Sequence, residues 1–128
     1  MTKITQILVA FFILLAGSAM AQSGNPMTNA QLTKLTEKGI TLKLDGEGEG
    51  YEGSLKLTPD GKGKGDATTD AGKNITLAGK WWIDGDKFCR VWKGEGSSGK
   101  EVCEIWFLTS ARSVEVFDGK NRIGVNSW

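Results

Sequence analysis

Two cysteines and a run of carboxylates are the residues of this 128-residue chain whose types could do chemistry. The chain has no histidine, which excludes catalytic triads with a histidine base and zinc sites of the usual ligand type. General acid–base catalysis would therefore depend on carboxylates. The acidic run at residues 45–52 interleaves its carboxylates with glycine, which is typical of an exposed turn rather than of a positioned catalytic pair. We expect no catalytic residues, no metal site, no cofactor and no enzymatic activity.

The first 21 residues have the pattern of a secretory signal peptide. An unbroken apolar run covers residues 7–16, and Ala19-Met20-Ala21 supplies a small-x-small cleavage site. The run is shorter than the ~20 apolar residues of a transmembrane helix. We expect cleavage after Ala21 and a periplasmic or secreted protein, with an uncleaved N-terminal anchor as the alternative. No lipid anchor is expected, because Ser18 stands where the lipidated cysteine would be required.

Removal of this leader leaves a mature chain without net charge. Of the 16 basic residues only Lys3 is lost, so 15 basic residues face 15 acidic ones. This balance argues against a polybasic protein that binds nucleic acid or a membrane surface. The expected partner is a small molecule or an exported or envelope protein.

The elements that must position the remaining side chains are one short helix and a series of strands. Residues 28–31 have the spacing of a capping box, and leucines then fall on one face, which predicts a helix over about residues 28–38. From Ile40 onward apolar residues alternate with polar ones between turn signals, which is typical of strands. Eight strands are predicted near residues 40–45, 51–58, 62–68, 74–83, 86–93, 100–109, 112–118 and 121–127.

The turns between these strands predict which side chains share a face. A two-residue turn at Asp84-Gly85 would pair Trp81 with Phe88 and direct both inward. Placing Cys89 opposite Cys103 then puts both cysteines on the outer face. In an exported protein this pair is expected to form a structural disulfide, since neither a Cys-x-x-Cys motif nor a helix start supports a redox role.

The same reasoning extends the inner face to the end of the chain. A three-residue link at residues 109–111 and a two-residue turn at residues 118–119 direct Val114, Ile123 and Val125 inward. Consecutive hairpins with one apolar face must close or stack to bury that face. The predicted fold is therefore an all-β, eight-stranded, antiparallel up-and-down barrel, with a sandwich as the alternative. A flexible segment, residues 22–27, would precede this single domain of residues 28–128, which we expect to be monomeric.

Two charged side chains, Arg90 and Glu104, point toward the interior in this register. Buried charges persist only when they are paired, so the two residues form either an internal ion pair or the polar anchor of a ligand pocket. One wall of the barrel is almost free of side chains and faces a wall of tryptophans. The residues involved are Gly53, Gly63, Gly65 and Ala67 on one side and Trp81, Trp92 and Trp106 on the other. Either the tryptophans fill the space, or a pocket remains for a small, partly apolar ligand with an anionic or polar group.

Trp82 interrupts the pattern, because it falls on the outer face. It shares that face with Val91, Ile105 and Phe107, and an apolar band beside a disulfide can bind a protein partner. The N-terminal segment could equally cover this band. The alternative function is therefore a protein-interaction module that acts through Trp82 and Phe107 or through residues 22–27.

The segment from Gly79 to Trp92 reads GKWWIDGDKFCRVW, and it is followed by Cys103 and by the FDGK sequence of residues 117–120. This pattern, G-x-W…G-D-x-x-C-x-x-W…C…D-G-K, resembles that of small exported bacterial calycin-like proteins of unknown function. The resemblance covers residues 79–126 and implies a small calycin-like sheet with a disulfide and no known active site. The chain also resembles, more loosely, the bacterial metalloprotease inhibitors. That likeness implies an eight-stranded barrel that inhibits through a free N-terminal segment, here residues 22–27.

Overall fold

Eight antiparallel strands close into a barrel in which each strand pairs with its neighbours along the chain. The computed structural model describes residues 24–44 and 50–128, so the predicted signal peptide and most of the acidic run lie outside the described residues. Strand β8 returns to β1 through the pairs Lys43–Ser127 and Leu44–Asn126, which confirms the predicted barrel over the sandwich. The strands are β1 (Ile40–Leu44), β2 (Tyr51–Thr58), β3 (Lys62–Thr69), β4 (Asn74–Asp84), β5 (Lys87–Lys93), β6 (Glu101–Ser110), β7 (Ser113–Asp118) and β8 (Asn121–Ser127).

The one helix of the described residues, α1 (Asn29–Thr36), covers one end of the barrel. Its N-terminus carries the predicted capping box, in which the Thr28 side chain accepts from the backbone of Gln31 and the Gln31 side chain accepts from Thr28. Leu32 is completely buried and belongs to the core. The Asn29 side chain also donates to the carbonyl of Gly85 in the β4–β5 turn, at 2.7 Å. These contacts hold the helix over the end that contains this turn. No helix among the described residues is long and apolar enough to cross a membrane.

The segment before the helix lies against β6, although the sequence predicts a flexible segment there. Pro26 forms an antiparallel bridge with Phe107, and the Met27 amide donates to the carbonyl of Trp106 at 2.8 Å. Strand β6 continues beyond the last residues that β5 pairs, so its free backbone groups are available to residues 24–27. The Met27 side chain is 4% exposed and belongs to the core.

The β4–β5 hairpin differs in register from the prediction. Ile83 pairs with Phe88 and Trp81 pairs with Arg90, because the turn consists of Gly85 and Asp86. Among the described residues only glycines have positive φ, and Gly85 has a φ of 59°. Glycine therefore occupies the first central position of the turn, as two-residue hairpins with one left-handed residue require. The predicted pairing was wrong by two residues, but the inward face was right because strand side chains have a period of two.

Strands β7 and β8 contain the largest departure from the prediction. The register shifts between Val116 and Phe117, so that Val116 pairs with Gly124. A bulge adds one residue to a strand and thereby exchanges its faces. Val125 pairs with Glu115 on the outer side, whereas Asn126 is buried. The inward placement of Val125 was therefore wrong.

The predicted three-residue link between β6 and β7 was also wrong. Leu108 pairs with Val114, and a bulge separates this pair from the pair of Ser110 with Ser113, which leaves a two-residue connection. Val114 is completely buried, as its inward direction predicts. The wrong link length displaces each predicted partner by two residues, so the same side chains still face inward.

The predicted disulfide joins Cys89 to Cys103. The two residues lie directly opposite each other on β5 and β6, as the sequence register predicts. Cys89 is completely buried even though it lies on the outer face. Such a bond is typical of proteins in oxidising, extracellular environments.

Candidate functional site

The barrel end opposite helix α1, here called the mouth, opens into a cavity of about 370 Å³. This volume lies at the lower end of the range for small-molecule sites. Most of the lining is apolar and comes from strands on all sides of the barrel. The apolar side chains include Leu44, Leu55, Ala67, Ile75, Leu77 and Val102.

The half of the barrel nearest the helix is filled by aromatic side chains. The rings of Trp81 and Phe88 stack with centroids 5.8 Å apart, and those of Phe88 and Trp106 with centroids 4.7 Å apart. Trp106 is completely buried, and Trp81 is 9% exposed. Filling of the interior, one of the two alternatives, therefore describes this half of the barrel.

Trp92 belongs both to the buried core and to the lining of the cavity. It pairs with Gly79, which in turn pairs with Gly63, so the three residues form one row across β5, β4 and β3. The six-membered ring of Trp92 lies along this row, and an added Cβ at Gly63 would stand 2.5 Å from Trp92 Cη2. A side chain at Gly63 would displace this ring. The bare wall of β3 is thus covered at Gly63 by a tryptophan from β5.

Gly53 and Gly65 have a different role in the same wall. A Cβ at Gly65 would stand 2.1 Å from the Ser54 carbonyl oxygen, and one at Gly53 would stand 2.0 Å from that of Asp66. These glycines allow the backbones of β2 and β3 to approach closely where the small barrel curves. Among the predicted small residues of this wall, Ala67 lines the cavity.

The polar part of the cavity is the ion pair between Arg90 and Glu104. Arg90 Nε donates to Glu104 Oε2 at 2.8 Å, and Trp106 Nε1 donates to Glu104 Oε1 at 2.9 Å. Both carboxylate oxygens therefore have a partner. Burial raises the pKa of Glu104, while the charge of Arg90 and the two donors act in the opposite direction.

The guanidinium of Arg90 is only partly used by this pair. Its hydrogen bond with the described residues uses Nε alone, so the two terminal nitrogens have no protein partner there. No buried side-chain nitrogen or oxygen of the described residues lacks a partner. The terminal nitrogens must therefore be accessible, and Arg90 lines the cavity. Glu104 fixes the arginine and leaves its outer donors for a ligand.

The mouth of the cavity carries four further polar side chains, Tyr51, Ser98, Asp118 and Asn126. Tyr51 Oη donates to the carbonyl of Ile123 at 3.3 Å and so connects β2 with β8 beyond the end of β1. Asn126 is 8% exposed and points inward because of the bulge at Ile123 in β8. Asp118 acts weakly to raise the pKa of Glu104.

The structure brings three of the six predicted pocket residues together at the cavity, namely Arg90, Glu104 and Trp92. Trp106 lies below it and supports Glu104, whereas Trp81 lies in the filled half, where its Nε1 donates to the Lys62 carbonyl at 3.0 Å. Gly65 shapes the wall without lining the cavity. Sequence reasoning missed the rim. Tyr51 was detectable, because it alternates in phase with the inward leucines of β2, but Asn126 was hidden by the bulge.

The outer apolar band is partly covered. Phe107 pairs with Pro26 of the N-terminal segment, and its ring meets that of Phe117 edge to face at 5.3 Å. Trp82 and Phe107 are both half-buried. The N-terminal segment therefore lies beside the Phe107 end of the band, at the edge of β6.

Comparison of the chain with protein-family models, with curated proteins and with solved structures gives no significant match.

Proposed function

We propose that this protein is an exported, non-enzymatic binding protein that holds a small, partly apolar ligand in the mouth of the barrel. The observation that carries the proposal is the cavity of about 370 Å³, in which the outer donors of Arg90 lie in a mostly apolar lining. Apolar walls with a few fixed polar groups are the usual composition of small-molecule sites.

The lining also defines the chemistry of the ligand. The aliphatic walls and the ring of Trp92 favour an apolar body. Arg90 offers donors only, so the polar group of the ligand must accept hydrogen bonds, as a carboxylate, sulfonate or carbonyl does. Because Glu104 already balances the charge of Arg90, both anionic and neutral acceptors fit.

The arrangement favours binding over catalysis. Glu104 is the buried carboxylate of the site, and both of its oxygens are held by donors. Asp118, the other described carboxylate in the lining, is exposed at the rim. A general base must reach its substrate with an available oxygen, and each oxygen of Glu104 already accepts a hydrogen bond from a protein donor, which makes the carboxylate less available.

Export is part of the proposal. The leader pattern of residues 1–21 supports cleavage after Ala21, and the Cys89–Cys103 bond fits a periplasmic or secreted location. The resemblance to exported calycin-like proteins agrees with this placement. A protease-inhibitor role is less favoured, because residues 24–27 are bound to β6 and Met27 is part of the core.

The test is a titration with ANS, an apolar dye that carries one sulfonate, followed by dye emission and by tryptophan quenching. Ala67→Leu places a larger side chain in the cavity and should strongly reduce dye binding. Ala78→Leu makes the same change on the outer face, where residue 78 is exposed, and should leave binding unchanged. Arg90→Met should weaken binding of ANS more than that of an uncharged apolar dye.

Two results would overturn the proposal. One is the absence of any dye signal from the folded protein. The other is an equal loss with Ala67→Leu and Ala78→Leu, which would show that the dye binds outside the cavity or binds to partly unfolded chains. Thermal unfolding of each variant identifies the second cause.

A further inference from the structure

Four lysines gather on the outer face of three adjacent strands. Lys56 of β2 lies directly opposite Lys64 of β3, and Lys62 of β3 lies directly opposite Lys80 of β4. All four are exposed. We call this surface the lysine face.

Few acidic residues lie beside the lysine face. The row through Lys56 and Lys64 continues to Thr41 on one side and to Ala78 and then Lys93 on the other. The row through Lys62 and Lys80 continues to Thr58 and Val91. No carboxylate occurs in either row from β1 to β5. The nearest acidic residues are Asp66, in the next row, and Asp60, in the adjacent turn, where a hydrogen bond from Thr58 and the charge of Lys62 help to lower the pKa of the Asp60 carboxyl. Glu101 of β6 lies opposite Val91 and ends the row through Lys62 and Lys80.

The ion pairs of the described residues lie elsewhere. None of the four lysines forms an ion pair with a residue that the structure describes. On β7 and β8, in contrast, Glu115 and Arg122 form a pair at 2.7 Å. Opposite charges thus pair on β7 and β8, whereas lysines adjoin one another on β2, β3 and β4.

This accumulation opposes folding. Like charges directly opposite each other on neighbouring strands are destabilising, and here two such pairs adjoin. The balanced net charge of the mature chain predicts no cationic surface. The pairing of β2, β3 and β4 produces one by placing lysines from separate segments side by side.

We propose that the lysine face docks the protein on an anionic lipid surface. The face lies on the convex outside of a barrel and forms no groove, so it suits an extended surface better than a single polyanionic strand, which is usually held in a groove. It contains lysine and no arginine or aromatic residue. Lysine acts as a hydrated point charge without bidentate geometry, which suits attraction to many headgroups rather than recognition of one phosphate.

The test measures co-sedimentation of the protein with vesicles of phosphatidylcholine alone and of equal parts phosphatidylcholine and phosphatidylglycerol. Binding should require phosphatidylglycerol and should fall as salt is added. Each lysine near such a surface contributes about fivefold to binding, so K56Q/K64Q should weaken it about 30-fold. The matched control K100Q/K120Q makes the same change in net charge at exposed lysines in loops at the mouth.

Three outcomes would overturn the proposal. They are no binding to the phosphatidylglycerol vesicles, an equal loss with both double variants, or binding to dextran sulfate without binding to vesicles. The last would indicate a soluble polyanion as the partner. Neutralising Lys56 and Lys64 removes a repulsion, so both variants should stay folded, and thermal unfolding checks this. The experiment needs no cavity ligand, so its result is independent of the proposed function.

Discussion

The ring of Trp92 lies over Gly63 and Gly79, which have no side chains. A single methyl group added at Gly63 therefore tests whether the ring occupies this position. In Gly63→Ala the new Cβ would stand 2.5 Å from Trp92 Cη2 and 2.6 Å from Cζ3. Ordinary contact begins near 3.4 Å, so the ring must retreat by about 1 Å. Aromatic side chains fill the half of the barrel nearest the helix, so the ring can retreat only into the free volume of the cavity. Overpacking of this kind costs typically about 1–3 kcal/mol.

The assay is a double-mutant cycle with Trp92→Phe, measured by urea unfolding and far-ultraviolet circular dichroism. Phenylalanine lacks the far ring atoms that meet the new methyl group, so it should relieve the collision. We expect Gly63→Ala to cost about 1–3 kcal/mol in the wild-type background and less in the Trp92→Phe background. The difference should exceed the ~0.5 kcal/mol within which independent sites add. Gly63→Ala should also reduce ANS binding, because the ring moves into the cavity.

Additive effects of the two substitutions would refute this reasoning, because they would show that the Trp92 ring does not lie over Gly63. A cost well above about 3 kcal/mol in both backgrounds would indicate a backbone clash instead. The slope of the unfolding free energy against urea should be the same for all four proteins, since a changed slope would mean that the denatured state had changed.

Two further predictions concern the disulfide and the buried carboxylate. Replacing Cys89 and Cys103 together by alanine opens a loop with a sequence separation of 14. The free energy of unfolding should fall by about 3 kcal/mol, because the unfolded chain is no longer constrained by the bond. An unchanged midpoint of urea unfolding would contradict the presence of the disulfide. Burial raises the pKa of Glu104 above its usual 4.5, so the folded protein binds more protons than the unfolded chain between 4.5 and the raised value. Its contribution to stability should therefore fall as pH rises through that window, and Glu104→Gln should remove this slope from the urea midpoints. Equal slopes for the two proteins would contradict the shift.

The inward direction of side chains was predictable over most of the barrel. Gly63 and Gly65 were predicted to face the interior, and the structure pairs them with the inward Leu57 and Leu55. Even where the β4–β5 turn was misplaced by one residue, Arg90 kept its inward direction, because a slip of one residue in a turn moves each partner by two. Alternation thus protects the prediction of a face against errors in the prediction of a turn.

A bulge removes this protection, because it inserts one extra residue into one strand and so shifts the alternation of its side chains by one position. The shift between Val116 and Phe117 reversed the faces of most of β8 and brought Asn126 to the rim. The docking of residues 24–27 was equally invisible in the sequence. It depends on β6 extending past the start of β5, which is a relation between two strand ends and not a property of the segment itself.

The sequence by itself determined the all-β class, the strand count, the cysteine pair and the inward direction of Arg90 and Glu104. These features follow from alternation, turn residues and spacing, which are local. Tertiary structure alone decided how the inward side chains share the interior: Trp81 and Trp106 fill one half, while Trp92 lies along the wall over Gly63 and lines a cavity. It also decided that lysines from three strands form one face, because composition counts charges without recording which strands become neighbours.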